Sequence, residues 1–386
     1  LTGSGRFVDD VQLPGTLHAA IVRSPHPSAV IQGFDIGGAL GVAGVVDVIS
    51  GADLGVDPPR IPVRLGKYPA ADDYLQTPLA RNEVRYVGDP VAVVLAEDRY
   101  VAMDAARIVR VSYGKLPFVL DVVQATEPGA KKVHDEYANI MAELDFARGD
   151  VNEEFAKADV VLNAEFAIQR HTAMPLEPRG LLAEVSSAGV ITVWGQTKVP
   201  HYNRDQLARM LRIDTNRLHF VPTEIGGAFG VRGELYPEDY LVPFLALKHQ
   251  RPVKWIESRS EHFYSTNHSR QQSERLEVAV DFDGRIRAIR GQIDVDMGAY
   301  ARPHGILVPI NTVAVWTGPY DIPAFDLKVR AVMTNKAPIG TFRAPGRFES
   351  CFARERLIDV VARDLSLDPA HVLRKNILTP EKLPHD

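Results

Sequence analysis

An α+β fold is what this 386-residue sequence predicts, and three observations carry the prediction. Short apolar runs of strand length alternate with a helical pattern early in the chain. Two turn-centred hairpin signals follow, at Ser186-Ser187-Ala188-Gly189 and at Asp283-Gly284. The length exceeds what one compact core holds, so two units are expected.

Taken in order, Leu17–Arg23 reads as a strand closed by Ser24-Pro25-His26-Pro27. Val45–Ile49 and Pro90–Ala96 read as further strands, Arg99–Ile108 as a helix and Val109–Tyr113 as a strand. These form an α+β unit expected to have its own core. Glu127 to Asp135, punctuated by Glu127-Pro128-Gly129, is the expected linker. The units are then 1–126 and 131–386.

In the second unit Val160–Phe166 reads as a strand, and Leu181–Val185 and Val190–Trp194 flank the first hairpin turn. A short helix carrying Leu207, Met210 and Leu211 on one face precedes a strand at Leu218–Pro222. Leu276–Phe282 and Arg285–Val295 flank Asp283-Gly284. A last helix spans about Phe348 to Leu365, with Phe348, Cys351, Phe352, Ile358, Val361, Ala362 and Leu365 as its apolar stripe. Glu355 interrupts that stripe and must find a hydrogen-bond or ion partner.

Composition excludes several classes. Hydrophobic residues at 45% and charged residues at 24% fit a globular protein, not a disordered, collagen-like or coiled-coil chain. A net charge of −5 gives no basic excess for nucleic acid. No apolar run approaches the roughly 18–20 residues that cross a membrane. Cys351 is the sole cysteine, so no disulfide or iron–sulfur site arises from this chain alone, which suits a reducing, cytoplasmic setting. Phosphate-loop, zinc-protease and nucleophile-elbow motifs are absent. No metal-ligating set is expected, and His262 and His268 read as surface or satisfied histidines.

The densest chemical signal is Thr223-Glu224-Ile225-Gly226-Gly227-Ala228-Phe229-Gly230-Val231-Arg232-Gly233-Glu234. Glycines so packed let backbone N–H groups approach a ligand, or simply make a tight turn. Around it stand Met174-Pro175-Leu176-Glu177-Pro178-Arg179-Gly180, Val193-Trp194-Gly195-Gln196-Thr197-Lys198-Val199-Pro200-His201 and Gly340-Thr341-Phe342-Arg343-Ala344-Pro345-Gly346-Arg347-Phe348-Glu349-Ser350. In this order they resemble the molybdopterin-binding large subunit of the xanthine dehydrogenase/aldehyde oxidase family, in the branch of the aerobic carbon monoxide dehydrogenase large chains. Gly5–Asp10, Leu13-Pro14-Gly15, Val22–His26 and Tyr86–Ala92 resemble that family's α/β hammerhead domain.

The resemblance implies a hammerhead domain followed by the first half of a molybdopterin-binding domain. It implies a molybdenum–molybdopterin cofactor in the cytosine dinucleotide form, with iron–sulfur clusters and FAD on partner subunits. The implied activity is hydroxylation of an N-heterocycle, an aldehyde or a related small molecule with water as oxygen source. An acyl-CoA-reducing relative and a non-catalytic binding or assembly subunit stand as alternatives. Gly226, Gly227, Ala228, Phe229 and Gly230 match the loop whose backbone approaches the metal's oxygen ligands. Arg343, the implied catalytic residue, and Ala344 match the loop beside the substrate. Arg343 there orients a substrate carbonyl or carboxylate, or forms a structural salt bridge. Spacing from Trp194 to Pro200-His201 puts Lys198 where the family has a glutamine, with Gln196 two residues earlier, so either is a cofactor-binding candidate. Ala344 stands where copper-containing relatives carry a cysteine, leaving no soft ligand for copper. The family's glutamate base belongs to a C-terminal half that this sequence does not include. A C-terminal half or second molybdopterin subunit is therefore an expected partner, covering apolar surface left open.

Overall fold

The computed structural model describes residues 2–64 and 69–383, so the last three residues of the expected second unit lie outside it. Strands β1 (Leu17–Arg23), β2 (Ala29–Asp35), β3 (Val45–Ser50), β4 (Glu83–Val84), β5 (Pro90–Ala96) and β6 (Arg110–Lys115) come first. Next are β7 (Ile140–Arg148), β8 (Val160–Ile168), β9 (His171–Thr172), β10 (Gly180–Val185), β11 (Ile191–Gly195) and β12 (Leu218–Pro222). The last are β13 (Val253–Ile256), β14 (His268–Ser269), β15 (Gln272–Val280), β16 (Ile286–Gly298) and β17 (Ala324–Met333).

One seven-stranded sheet, ordered β12-β11-β10-β13-β1-β5-β3, draws strands from both halves of the chain. Its seam is the parallel pairing of Leu17 with Val253 and His18 with Lys254. The expectation of an early unit with its own core holds around Val91 and on one face of this sheet. On that face Val94 of β5 packs with Ala39, Ala105 and Val109, under the helix Arg99–Ile108. On the other, Val93 and Leu95 share a core with Leu181, Ala183, Leu241 and Trp255. The physical reason is β5 itself: all seven residues are buried, and an apolar run buried on both faces needs two covers. Asp98 caps the helix, accepting from the Tyr100 N–H at 2.7 Å.

A five-stranded sheet, β7-β17-β16-β15-β8, carries the second core. Both hairpins form: Leu181 faces Gly195, and Leu276 faces Gly291 across the Asp283-Gly284 turn. The expected linker is irregular but packed rather than free. Val133 is buried in the second core, and buried Asn139 donates to the carbonyls of Ala125 at 3.0 Å and Lys131 at 2.9 Å.

The last strong helix is Arg347–Asp364, but its buried face is rotated from the expected stripe. Phe348 and Phe352 remain 44% and 39% exposed, and Cys351 is exposed. Glu349 and Arg354 go inward because each has partners: Glu349 pairs with Arg270 at 3.1 Å, and Arg354 donates to the Trp316 carbonyl at 3.0 Å. Glu355 is half-exposed and partnered, accepting from the Tyr320 hydroxyl at 2.7 Å and from Arg354 Nε at 3.0 Å.

Candidate functional site

The glycine-rich loop runs from the end of β12 to the helix Pro237–His249. Its near wall is the segment before β10. The Gly226 N–H donates to Glu177 Oε2 at 2.6 Å, and the Glu177 N–H donates back to the Gly226 carbonyl at 3.2 Å. Arg232 donates from Nη2 to the carbonyls of Glu177 at 2.6 Å and Pro178 at 3.0 Å. Burial raises the Glu177 pKa; burial and then Arg179 lower that of Arg232 to about 10.

Phe229 takes a left-handed φ of 49°, with Gly227 at 108° and Gly230 at 119° on either side. Among the described residues, the N–H groups of Gly227, Ala228, Phe229 and Gly230 meet no protein acceptor. Four consecutive donors without a protein acceptor are a set that anionic oxygens could satisfy.

The second loop docks directly onto the first. The Arg343 N–H donates to the Phe229 carbonyl at 2.7 Å, and Thr341 Oγ1 donates to the Gly230 carbonyl at 3.3 Å. Buried Glu234 ties both to a third segment, accepting from the Thr341 N–H and the His304 N–H at 3.2 Å each. The Arg343 side chain and Ala344 are exposed, and Ala344 has a φ of 57°. Among the described residues no carboxylate pairs with Arg343, so the salt-bridge alternative finds no support.

Lys198 and Gln196 separate cleanly. The Lys198 N–H holds the Arg232 carbonyl at 2.8 Å, its side chain is exposed, and among the described residues it has no ion partner. Gln196 turns inward, its amide atoms buried, toward a cavity of about 20 Å³ lined also by Arg179, Arg232 and Glu234. Lys198 and Arg343 are thus both exposed cations without an ion partner among the described residues, the Lys198 stem lying beside Gly233.

Behind the wall lies an ion network. Arg179 reaches Glu257 at 2.6 Å and Glu238 at 3.0 Å, and Arg23 reaches Glu238 at 2.5 Å and Glu261 at 2.6 Å. His262 joins Glu257 at 2.8 Å and the Ala173 carbonyl at 2.6 Å, so it is a satisfied core histidine. Burial alone would push Glu257 up, but Arg179 and His262 hold it well below the usual carboxylate range. Asn267, in the Asn267-His268-Ser269 triplet, is buried and accepts from the Tyr236 hydroxyl.

Beneath the second loop, Glu274 is fully buried and accepts from Trp316 Nε1 at 3.3 Å. Burial raises its pKa to about 8. A carboxyl that stays protonated in the fold but ionises when unfolded makes stability fall with rising pH. The penalty builds from the ordinary value of 4.5 to about 8. Glu274→Gln should therefore gain stability over the parent as pH rises through that window, by thermal unfolding. An advantage that does not grow with pH would refute the assignment.

Sequence reasoning singled out the two loops but not the residues that join them. Glu177 and Glu234 lay inside the quoted motifs without a role, and Arg270, which donates to the carbonyls of Arg343 and Ala344, carried no signal at all. No group of three or more His, Cys, Asp or Glu side chains suited to a metal occurs among the described residues. Nor, among them, is any helix long and apolar enough to cross a membrane.

A family model described as molybdopterin cofactor-binding domain matches residues 133–377, and one described as aldehyde oxidase and xanthine dehydrogenase, a/b hammerhead domain, matches residues 2–117. The chain belongs to the xanthine dehydrogenase/aldehyde oxidase family. Within it, the 6-hydroxypseudooxynicotine dehydrogenase complex subunit gamma of Paenarthrobacter nicotinovorans is 38% identical, matching 100% of this chain and 49% of its own length. The nicotine 6-hydroxylase large subunit of the same organism is 35% identical over 98% of this chain and 47% of its own. The carbon monoxide dehydrogenase large chain of Afipia carboxidovorans is 33% identical over 99% and 49%. Among solved structures, quinoline 2-oxidoreductase of Pseudomonas putida 86 superposes with a TM-score of 0.90 at 35% identity, over 99% of this chain and 49% of that one. The chain spans about half the length of these relatives. The fold of the family member is accordingly a hammerhead domain followed by molybdopterin-binding structure.

Proposed function

We propose that the chain contributes the molybdenum–molybdopterin site of a multi-subunit hydroxylase acting on an N-heteroaromatic or related small molecule. The observation that carries this reading is the run of N–H donors at Gly227–Gly230 that meet no protein acceptor among the described residues, a donor set that fits a cofactor rich in anionic oxygens. When bound, such a cofactor supplies oxidation of a carbon centre with oxygen from water, two electrons and two protons leaving. The chain's own part is to donate from Gly227, Ala228, Phe229 and Gly230 to oxygen ligands. Arg343, with no carboxylate partner among the described residues, orients a substrate carbonyl or carboxylate, and exposed Lys198 offers a further positive charge.

Relatives named for nicotine and quinoline support the heteroaromatic choice. Ala344 gives no thiolate for copper, which speaks against carbon monoxide as substrate. Exposed Met174, Leu176, Ile225, Phe229, Phe348 and Phe352 support a covering polypeptide, which we assign to a C-terminal half or second molybdopterin subunit. Iron–sulfur and FAD subunits as electron carriers, the cytosine dinucleotide form of the pterin, a cytoplasmic setting and a functional division at 126/131 belong to the same proposal.

Metal and pterin analysis of the protein purified with its natural partners tests it, together with turnover of quinoline and nicotine. Stoichiometric molybdenum with hydroxylated product is the expected result. Absence of molybdenum after cofactor-loaded expression would overturn the reading in favour of a binding or assembly subunit.

A further inference from the structure

We propose that Arg270 is a positioning residue, holding the Arg343 loop against the glycine loop. The proposal rests on the reading of those loops as one ligand site. Arg270 lies in the two-residue step between β14 and β15, at a φ of 80° that a side-chain-bearing residue rarely adopts, and its side chain is buried. The guanidinium donates to the carbonyl of Arg343 and, at 3.2 Å, to that of Ala344. It pairs with Glu349 at 3.1 Å, and its Cζ lies 4.7 Å and 4.4 Å from the ring centres of Phe342 and Phe348.

These contacts have a directional consequence. The Arg343 N–H is held by the Phe229 carbonyl, and its carbonyl is held by Arg270. Both backbone polar groups are thus fixed, and only the side chain remains free, exposed on the outer face. A planar guanidinium can serve two carbonyls and a carboxylate while stacking on rings; an ammonium cannot do all of this at once. Glu349, buried and bound through one oxygen, keeps the guanidinium aimed at the loop.

Arg270→Gln and Arg270→Lys, made in the protein assembled with its partners, test the inference by residue-resolved hydrogen exchange. The Arg343 amide should exchange about tenfold faster in Arg270→Gln, and by an intermediate factor in Arg270→Lys. The Thr341 amide, held by Glu234, should not change. With molybdenum content intact, KM for quinoline or nicotine should rise about tenfold with a much smaller change in kcat. Unchanged exchange at Arg343 would overturn the inference, as would acceleration spread equally over Thr341 and the rest of the chain. A protein without molybdenum would instead sink the cofactor reading, while the exchange result still judges the clasp.

Discussion

Gly230→Val should abolish cofactor retention, and the reason lies within the chain itself. Resemblance to the family suggests that a Cβ here would strike the cofactor. In the structure it strikes the second loop first, 2.8 Å from the Thr341 carbonyl carbon and 3.1 Å from Phe342 Cα. Real Cβ atoms do not tolerate the first distance, and a φ of 119° is open essentially to glycine alone. Backbone strain of this kind costs about 1–3 kcal/mol before any steric push. The push separates Arg343 from the Phe229 carbonyl and spoils the free N–H run together. Phe229→Leu is the milder comparison, since its half-exposed ring can shrink without moving the backbone. Lys198→Ala changes only an exposed charge. Molybdenum and pterin per protomer, with a folding control, are the readout. Full content in a folded Gly230→Val protein would refute the placement of this loop.

Arg179→Met should be the most destabilising substitution in the wall behind the site. Arg179 satisfies Glu257, Glu238 and Ser265 at 2.6–3.0 Å, and lies 3.9 Å over the Tyr236 ring. Removing it leaves Glu257 with His262, and Glu238 with Arg23, as their remaining ionic partners, both carboxylates buried. Breaking a buried pair from one side costs about 3–5 kcal/mol. Against burial, Arg179 and His262 hold Glu257 well below the ordinary glutamate value of 4.5, so its contribution is present above that value and is lost as pH falls. The deficit of the variant should therefore narrow on acidification. Denaturant unfolding at neutral and acidic pH checks both points; a neutral-pH loss below about 1 kcal/mol would contradict the role given to the network.

What was legible in the sequence follows from range. β5, the helix Arg99–Ile108 and the two hairpins announce themselves through local runs, caps and turns. β7 and β17 do not, because their apolar residues alternate with charges, one of which, Arg330, is answered by Asp294 of β16 at 2.6 Å, and β2 does not because Gln32 and Gly33 break its apolar run where the register shifts. The helix Arg347–Asp364 shows the limit of hydropathy most plainly. Glu349 is buried because Arg270 waits for it, while Phe348 is left out as a wall for the same guanidinium. The expected linker packs because Asn139 replaces regular structure with side-chain hydrogen bonds. At the site, the loops and Arg343 were readable from motif order. Glu234 and Arg270 were not, since their contacts lie tens of residues away.

In a loaded protein the backbone N–H groups of Gly227, Ala228, Phe229 and Gly230 are expected to face the cofactor. Residue-resolved amide exchange on the assembled protein, loaded with molybdopterin cofactor and free of it, measures this directly. Strong slowing is expected at these four amides on loading, with the Val231 amide, already bonded to the Ala228 carbonyl at 3.1 Å, little changed. Equal exchange at the four amides in loaded and unloaded protein would contradict it.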